Sequence, residues 1–172
     1  MHSCLGRVSA PSMKGKNMAI HYSESAKSDQ TADILLPGVS LVRTAFFQNT
    51  TGATLATGTV IKMAPVPKGA MVTNIHVLWS GVSGVDLDVG DEDDADRYFD
   101  GLDMGTAAGQ ASLAGHANAA ADYVLPFVYG KDDTIDAIIR TTAMPDKGYI
   151  SMHVEYKMGD LLKGESQPVP AA

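Results

Sequence analysis

Apolar and polar residues alternate along several stretches of the chain, and this alternation predicts strands rather than helices. The first strand of the segment 69–91 is predicted to place five residues on one face: Met71, Thr73, Ile75, Val77 and Trp79. After a Gly/Ser turn, the second strand of this segment places Val85, Leu87 and Val89 together. Residues 149–157 alternate most regularly, with an inner face of Ile150, Met152, Val154 and Tyr156. One buried and one solvated face is typical of antiparallel strands.

Other β-forming stretches are 39–48, 58–64, 123–129 and 134–142, which are separated by turns rich in Gly, Pro and Asp. Seven or eight short strands with such spacing are typical of an all-β sandwich. We therefore predict a sandwich with jelly-roll or Greek-key topology.

Residues 91–122 interrupt this spacing and are predicted to form an insertion in the sandwich body. The aspartates at 91–96 are candidate N-caps, so we predict a short helix over 95–102. Residues 105–122 are rich in Ala and Gly, and we expect a long loop that is at most partly helical. The body is predicted at 34–158, with an extended N-terminal arm at 1–33 and a C-terminal tail at 159–172.

Charge is distributed unevenly along the chain. The net charge of -7 argues against a nucleic-acid partner, and no apolar run approaches the ~18 residues of a membrane span. The arm is basic, whereas residues 86–103 are strongly acidic. We expect the arm of one subunit to contact the acidic segment of a neighbour. The candidate contact residues are Arg7, Lys14 and Lys16 in the arm and Asp93, Asp94 and Asp96 in the acidic segment.

The single cysteine, Cys4, excludes an internal disulfide framework. Two interpretations stay open: an inert thiol in the arm, or an intermolecular disulfide.

Candidate chemistry is sparse. An EF-hand starting at Asp91 would need Gly at its sixth position and Glu at its twelfth, but Asp96 and Leu102 stand there. A solvated, helix-capping loop in which Arg97 pairs with a nearby Asp is the simpler interpretation. His153 and Glu155 share a strand face, which is only a fragment of a cupin-like metal set. Nucleophile elbows, Walker loops and dinucleotide fingerprints are missing. We expect no enzymatic activity, no cofactor and no metal.

Some apolar residues lie off the main faces of their strands and are candidates for an oligomer interface. Phe46 and Phe47 are adjacent, so a strand points them to opposite sides, and one of them must meet a second apolar surface. Leu78 and Ile138 also lie opposite the main apolar faces of their strands. We therefore expect a homo-oligomer.

Two passages resemble small β-rich structural proteins of tailed bacteriophages, of the head decoration or head-fibre kind. The first is TGTVIKMAPVPKGAMVTNIHVLW, residues 57–79, with P-x-P-x-G-A between two strands; the second is VGDEDDADRYFDGLD, residues 89–103. The resemblance covers about residues 40–160. It implies a jelly-roll-like or sandwich body, symmetric trimers or similar oligomers, and attachment to the capsid surface.

From these expectations we predict that the chain is a non-enzymatic structural protein of a virion. The preferred hypothesis is a capsid decoration (cement) protein that stabilises the head through contacts with its own copies, with trimers favoured, and with the major capsid protein. The alternative is a head-fibre or tail-associated module that binds a receptor or glycan through the Ala/Gly-rich loop, which a glycan array would distinguish. A third hypothesis, a cupin-like metalloenzyme, would require stoichiometric metal that is lost on His153→Ala.

Overall fold

The fold consists of two β-sheets that enclose one apolar core. The computed structural model describes residues 19–23, 39–120 and 127–158. Their strands are β1 (Ile20–Tyr22), β2 (Ser40–Gln48), β3 (Val60–Val66), β4 (Ala70–Ser80), β5 (Val85–Gly90), β6 (Phe99–Met104), β7 (Ala108–Ser112), β8 (Asp133–Ile139) and β9 (Tyr149–Met158). The predicted all-β sandwich is confirmed. Its jelly-roll or Greek-key topology stays a prediction.

Strand pairing places β1-β3-β8-β5-β6 in a five-stranded sheet and β2-β9-β4-β7 in a four-stranded sheet. The short β1 pairs with β3 in parallel, while β2, β9, β4 and β7 pair antiparallel. The edges of the sheets are therefore β1 and β6 in one and β2 and β7 in the other.

The core is formed by the inward faces that the alternation predicts. In β9 the four predicted residues Ile150, Met152, Val154 and Tyr156 are buried, and in β5 so are Val85, Leu87 and Val89. Trp79 is also buried, and its indole Nε1 donates a hydrogen bond to the carbonyl of Thr106 at 3.1 Å. A buried indole needs such a partner for its N–H.

The predicted face of β4 is right for only part of the strand. Ile75 and Val77 are buried, but at the other end Ala70 and Val72 are buried while Met71 and Thr73 are partly exposed. The register of β4 with β9 shifts between Val72 and Asn74. A bulge adds one residue to a strand. Because side chains alternate between the two faces, the extra residue moves all side chains on one side of the bulge to the opposite face. The prediction for Met71 and Thr73 was wrong for this reason.

The predicted short helix over 95–102 is also wrong, since the described residues contain no helix. Phe99–Met104 forms β6 instead, with Phe99, Leu102 and Met104 buried against the core. Gly101 has a φ of 70°, which no helix contains. Within the predicted loop 105–122, residues 108–112 form β7 beside β4. Pairing with core strands therefore outweighs the helix-capping tendency of the aspartates.

The predicted arm 1–33 contains one described element, β1, which places His21 against Phe47 with 5.8 Å between ring centroids. The rest of the arm, the tail from residue 159 and residues 123–126 of the predicted strand 123–129 lie outside the described residues. No helix within the described ranges is long and apolar enough to cross a membrane.

Candidate interaction surfaces

The acidic segment is organised around the buried carboxylate of Asp91, at the end of β5. Its Oδ1 accepts hydrogen bonds from the backbone N–H groups of Asp93 at 3.1 Å and Asp94 at 2.9 Å. Its Oδ2 accepts from Arg97 Nε at 2.5 Å and from the Tyr129 hydroxyl at 2.9 Å. The expected pairing of Arg97 with a nearby Asp is thereby confirmed. The expectation of a solvated, helix-capping loop is wrong, since the Asp91 carboxylate is buried and no helix follows it among the described residues. We call residues 91–97 the Asp91 loop.

Aromatic side chains connect the Asp91 loop to residues 127–129, which precede β8. The hydroxyls of Tyr98 and Tyr129 lie 2.9 Å apart, and both side chains are buried. The Arg97 guanidinium lies 3.8 Å from the centroid of the Phe127 ring, a cation–π contact. Burial raises the pKa of both tyrosines above their ordinary value. The network therefore holds neutral phenols around a charged Asp–Arg pair.

The three acids predicted as partners of a basic arm differ in their surroundings. Asp93 and its neighbour Glu92 are exposed, and both lie 3.3 Å from the Lys131 ammonium. Asp94 lies 3.8 Å from Arg97. Asp96 is exposed, and its hydrogen bond with Asp94 raises the pKa of its carboxyl. Asp93 and Asp94 thus already lie close to Lys131 and Arg97 of their own chain. A lysine or arginine from another chain would have to compete with these two cations.

The described residues contain no group of three or more His, Cys, Asp or Glu side chains placed to hold a metal ion. The aspartates of the Asp91 loop instead serve the turn between β5 and β6. His153 lies beside His76 across β9 and β4, and His76 Nε2 is 3.6 Å from Glu155 Oε1. His153 Nδ1 lies 3.1 Å from the hydroxyl of Thr44. These side chains form a polar row across the outer face of the four-stranded sheet.

Leu78, predicted at an interface, lies at one side of this polar row. It is half-buried and lines a shallow hollow of about 410 Å³ with His76, Gln110, Ala111 and Ser112. Ile138, its counterpart on β8, is also half-buried. The hollow is bounded by β7, which is an edge strand of its sheet.

A second surface, which exposes several large apolar side chains, lies where the edge strands β1 and β2 come together. Phe46 is 48% exposed, whereas the adjacent Phe47 is 8% exposed and belongs to the core. Three large apolar neighbours are also exposed: Ile20 at 50%, Tyr22 at 47% and Val42 at 58%. Of the two phenylalanines predicted as interface candidates, Phe46 is the one that is placed to meet another surface.

A groove of about 500 Å³ opens between these two edges. Its lining residues are Ile20, His21, Tyr22, Phe46, Phe47, Gln48, Thr50 and Thr51. Four of them carry aromatic rings, and none carries a carboxylate, an ammonium or a guanidinium. We call this site the β1–β2 groove.

Sequence reasoning missed Ile20, Tyr22 and Val42 at this surface. Val42 could have been found, since it shares a strand face with Phe46 at a spacing of four residues. Ile20 and Tyr22 fall in the predicted arm, where no sustained period indicates a strand. Arg7, Lys14 and Lys16 lie outside the described residues, as does Cys4.

No protein family matches the sequence, and no curated protein matches it. Solved structures do share the fold. A chain from the capsid of Ralstonia phage GP4 matches with a TM-score of 0.62 at 15% identity, over 82% of this chain and 99% of that one. A chain from the capsid asymmetric unit of cyanophage Pam1 matches with a TM-score of 0.52 at 20% identity, over 77% and 98%.

A third match is a chain from the acid-stable capsid structure of Helicobacter pylori bacteriophage KHP30. Its TM-score is 0.50 at 19% identity, over 72% of this chain and 90% of that one. In all three cases a part of this chain covers nearly the whole of the other, so the matched chains are themselves small. At these identities the likeness is one of fold.

Proposed function

We propose that this protein is a non-enzymatic structural subunit of a bacteriophage virion, and that it acts as a decoration (cement) protein on the capsid surface. One observation carries the proposal: small chains in three phage capsid structures have this fold over nearly their full length.

The size of the matched chains favours a decoration subunit over a larger shell component. A sandwich of this size buries its own core, and the remaining contact surfaces are its strand edges, its loops and its terminal segments. Phe46 and its exposed neighbours supply an apolar patch on one of those edges. Such patches are typical of protein–protein contacts. A cement role needs this kind of contact with neighbouring copies and with the major capsid protein.

In the proposed assembly, each copy also contributes its basic arm. Arg7, Lys14 and Lys16 would approach the exposed acids of a neighbour, with Asp96 as the acid that has no described lysine or arginine within salt-bridge distance. Surface ion pairs contribute about 0–1 kcal/mol each and are weakened by salt. They therefore orient the contact, while the apolar patch stabilises it. Trimers are the favoured oligomer, since the resemblance to phage decoration proteins implies them.

Quantitative mass spectrometry of purified phage particles tests the proposal directly. A cement protein is expected in a fixed ratio to the shell subunit, with many copies in each particle. A handful of copies would contradict it and would point to a neck, tail or fibre. Particles that lack the protein should release their genome at lower temperature, because a ligand that binds only the assembled state stabilises that state. Unchanged release temperature would contradict cementing.

The basic arm has a test of its own. The triple variant Arg7→Ala, Lys14→Ala, Lys16→Ala should rebind more weakly to particles that lack the protein, and its binding should depend less on salt. The control is Lys68→Ala with Lys147→Ala, which removes two exposed cations from turns of the body. Equal binding by the two variants would contradict a role of the arm.

A further inference from the structure

We propose that the β1–β2 groove is the docking site for the last six residues, 167–172, of a neighbouring copy of this chain. The inference deepens the proposed function and rests on its homo-oligomer. It starts from the groove itself, whose volume of about 500 Å³ lies within the about 300–1,000 Å³ of ligand-binding sites. Four of its eight lining residues carry aromatic rings, and two of these side chains, Tyr22 and Phe46, are each nearly half exposed.

The C-terminal sequence has the chemistry that such a groove takes. Residues 167–172 are QPVPAA and carry no charged side chain. Gln167 and Val169 each precede a proline, which biases them towards polyproline II. Aromatic-lined grooves recognise segments of this conformation, because little conformational entropy is lost when they bind. The groove and these six residues therefore both combine apolar groups with amide or hydroxyl side chains, and neither has a carboxylate, ammonium or guanidinium side chain.

Two other segments of the chain fit the groove less well. Residues 1–18 carry Arg7, Lys14 and Lys16, and no lining residue is an acid that could pair with them. Residues 24–38 contain the apolar run Ile34–Pro37, but this run ends two residues before Val39, next to the start of β2. The groove lies at the other end of β2, at Phe46–Gln48. The apolar part of 24–38 is thus joined to the end of β2 that is farther from the groove.

The position of β9 indicates that the tail comes from a neighbour. β9 ends at Met158, and its Lys157 pairs with Ser40 at the start of β2. From Ser40 to Phe47 the strand rises by about 23 Å, at about 3.3 Å per residue. Residues 159–166, as a relaxed chain of eight, would span only about 16 Å. The same copy's tail would have to run nearly straight, whereas a neighbour's tail is under no such constraint.

Disulfide trapping between two differently substituted chains tests this docking. In a Cys4→Ser background, one chain carries Val169→Cys and the other carries Thr50→Cys at the exposed lip of the groove. Because the two cysteines lie on different chains, a disulfide that joins them can form only between two copies. Gln48→Cys serves as a second groove position, so that unsuitable geometry at one position does not decide the result. The control partner is Asp103→Cys, exposed on β6 at the far edge of the five-stranded sheet.

We expect the groove pairs to form the mixed disulfide with a yield about tenfold above the control pair, a ratio that corresponds to ~1.4 kcal/mol of preference. A free peptide of sequence SQPVPAA should suppress this yield, and the same peptide with both prolines replaced by alanine should not. Equal yields in groove and control pairs, or no effect of the peptide, would overturn the docking. An intramolecular disulfide in a single chain that carries both Val169→Cys and Thr50→Cys would overturn the assignment to a neighbour.

Native mass spectrometry distinguishes a failure of the docked tail from a failure of the proposed homo-oligomer. An oligomer that persists when residues 165–172 are deleted, together with failed trapping, would refute the docked tail and leave the proposed homo-oligomer standing. A monomer at all concentrations would refute the homo-oligomer itself.

Discussion

The carboxylate of Asp91 and the guanidinium of Arg97 form a salt bridge of 2.5 Å in which only 1% of the Asp91 side chain is exposed. The same carboxylate accepts from two backbone N–H groups and from the Tyr129 hydroxyl. A buried charge is tolerated when it is paired and its remaining lone pairs are hydrogen-bonded. The pair therefore fixes the connection between β5 and β6, and the chain has a specific structural use for part of its acidic segment.

Asp91→Asn should destabilise the fold by about 2–4 kcal/mol, because the variant loses the negative charge and leaves Arg97 without its principal partner. The free energy of unfolding in urea measures this loss. Asp103→Asn is the matched control: it makes the same chemical change at an exposed position of β6, and it should change the free energy by no more than about 0.5 kcal/mol. Equal effects of the two substitutions would contradict the role given to Asp91.

Gly90→Ala should be costly for a different reason. A Cβ at this position would lie 2.0 Å from the carbonyl oxygen of Asp94, so the backbone of the Asp91 loop would have to move. We expect a loss of about 2–3 kcal/mol in the free energy of unfolding, as for overpacking of a close-packed site.

Gly130→Ala is the control for Gly90→Ala. Nothing lies within 4 Å of its added Cβ, and its φ is not in the left-handed region. Its unfolding free energy should stay within about 0.5 kcal/mol of the unsubstituted protein. If Gly90→Ala were equally well tolerated, the tight turn around Asp91 would not exist as described.

How much of this could be read from the sequence depends on the range of the interactions. The faces of β5 and β9 follow from local alternation, and the pairing of Arg97 with a nearby Asp follows from their closeness in the sequence. The bulge after Val72 depends on pairing with β9, which is distant in the sequence, and the strand Phe99–Met104 depends on pairing with β5 across the Asp91 loop. Alternation also shows that Phe46 and Phe47 face opposite ways, but only the pairing of β2 with β9 decides which side is the core.

The structure of the Asp91 loop could likewise be predicted only in part from the sequence. Its acidic composition indicates a charged loop but not which carboxylate is buried. That choice depends on Tyr129, which is 38 residues away in the sequence. For the β1–β2 groove, the contact between His21 and Phe47 joins two segments that no local pattern connects.

Tyr98 and Tyr129 should make the fold sensitive to high pH. Burial raises the pKa of both hydroxyls in the folded state above the ordinary value of about 10. A raised folded-state pKa means that the folded protein holds these protons more tightly than the unfolded chain. The stabilisation is complete below about pH 10 and decreases as the pH rises above it.

The free energy of unfolding, measured from pH 8 to the alkaline limit, should therefore fall above about pH 10. In the folded protein, Tyr98 and Tyr129 should titrate later than in the unfolded chain, so part of the absorbance of ionised tyrosine should appear only at higher pH. Tyr98→Phe should reduce this late part of the absorbance by one tyrosine. An unchanged late part in that variant would contradict the buried pair.

Phe46 and Phe47 should respond to substitution in opposite ways, because one faces outward and the other lies in the core. Phe47→Ala is expected to lower the free energy of unfolding by about 3–5 kcal/mol, as for other buried phenylalanines. Phe46→Ser should change it by about 1 kcal/mol or less but should shift native mass spectra towards monomers, since it removes an aromatic wall of the β1–β2 groove. Val128→Ser, at a residue that is 52% exposed and does not line the groove, should leave the oligomer intact. If the oligomer were unaffected by Phe46→Ser, the β1–β2 groove would not be the contact surface. The polar row around His76 and Leu78 would then be the next face to test by substitution.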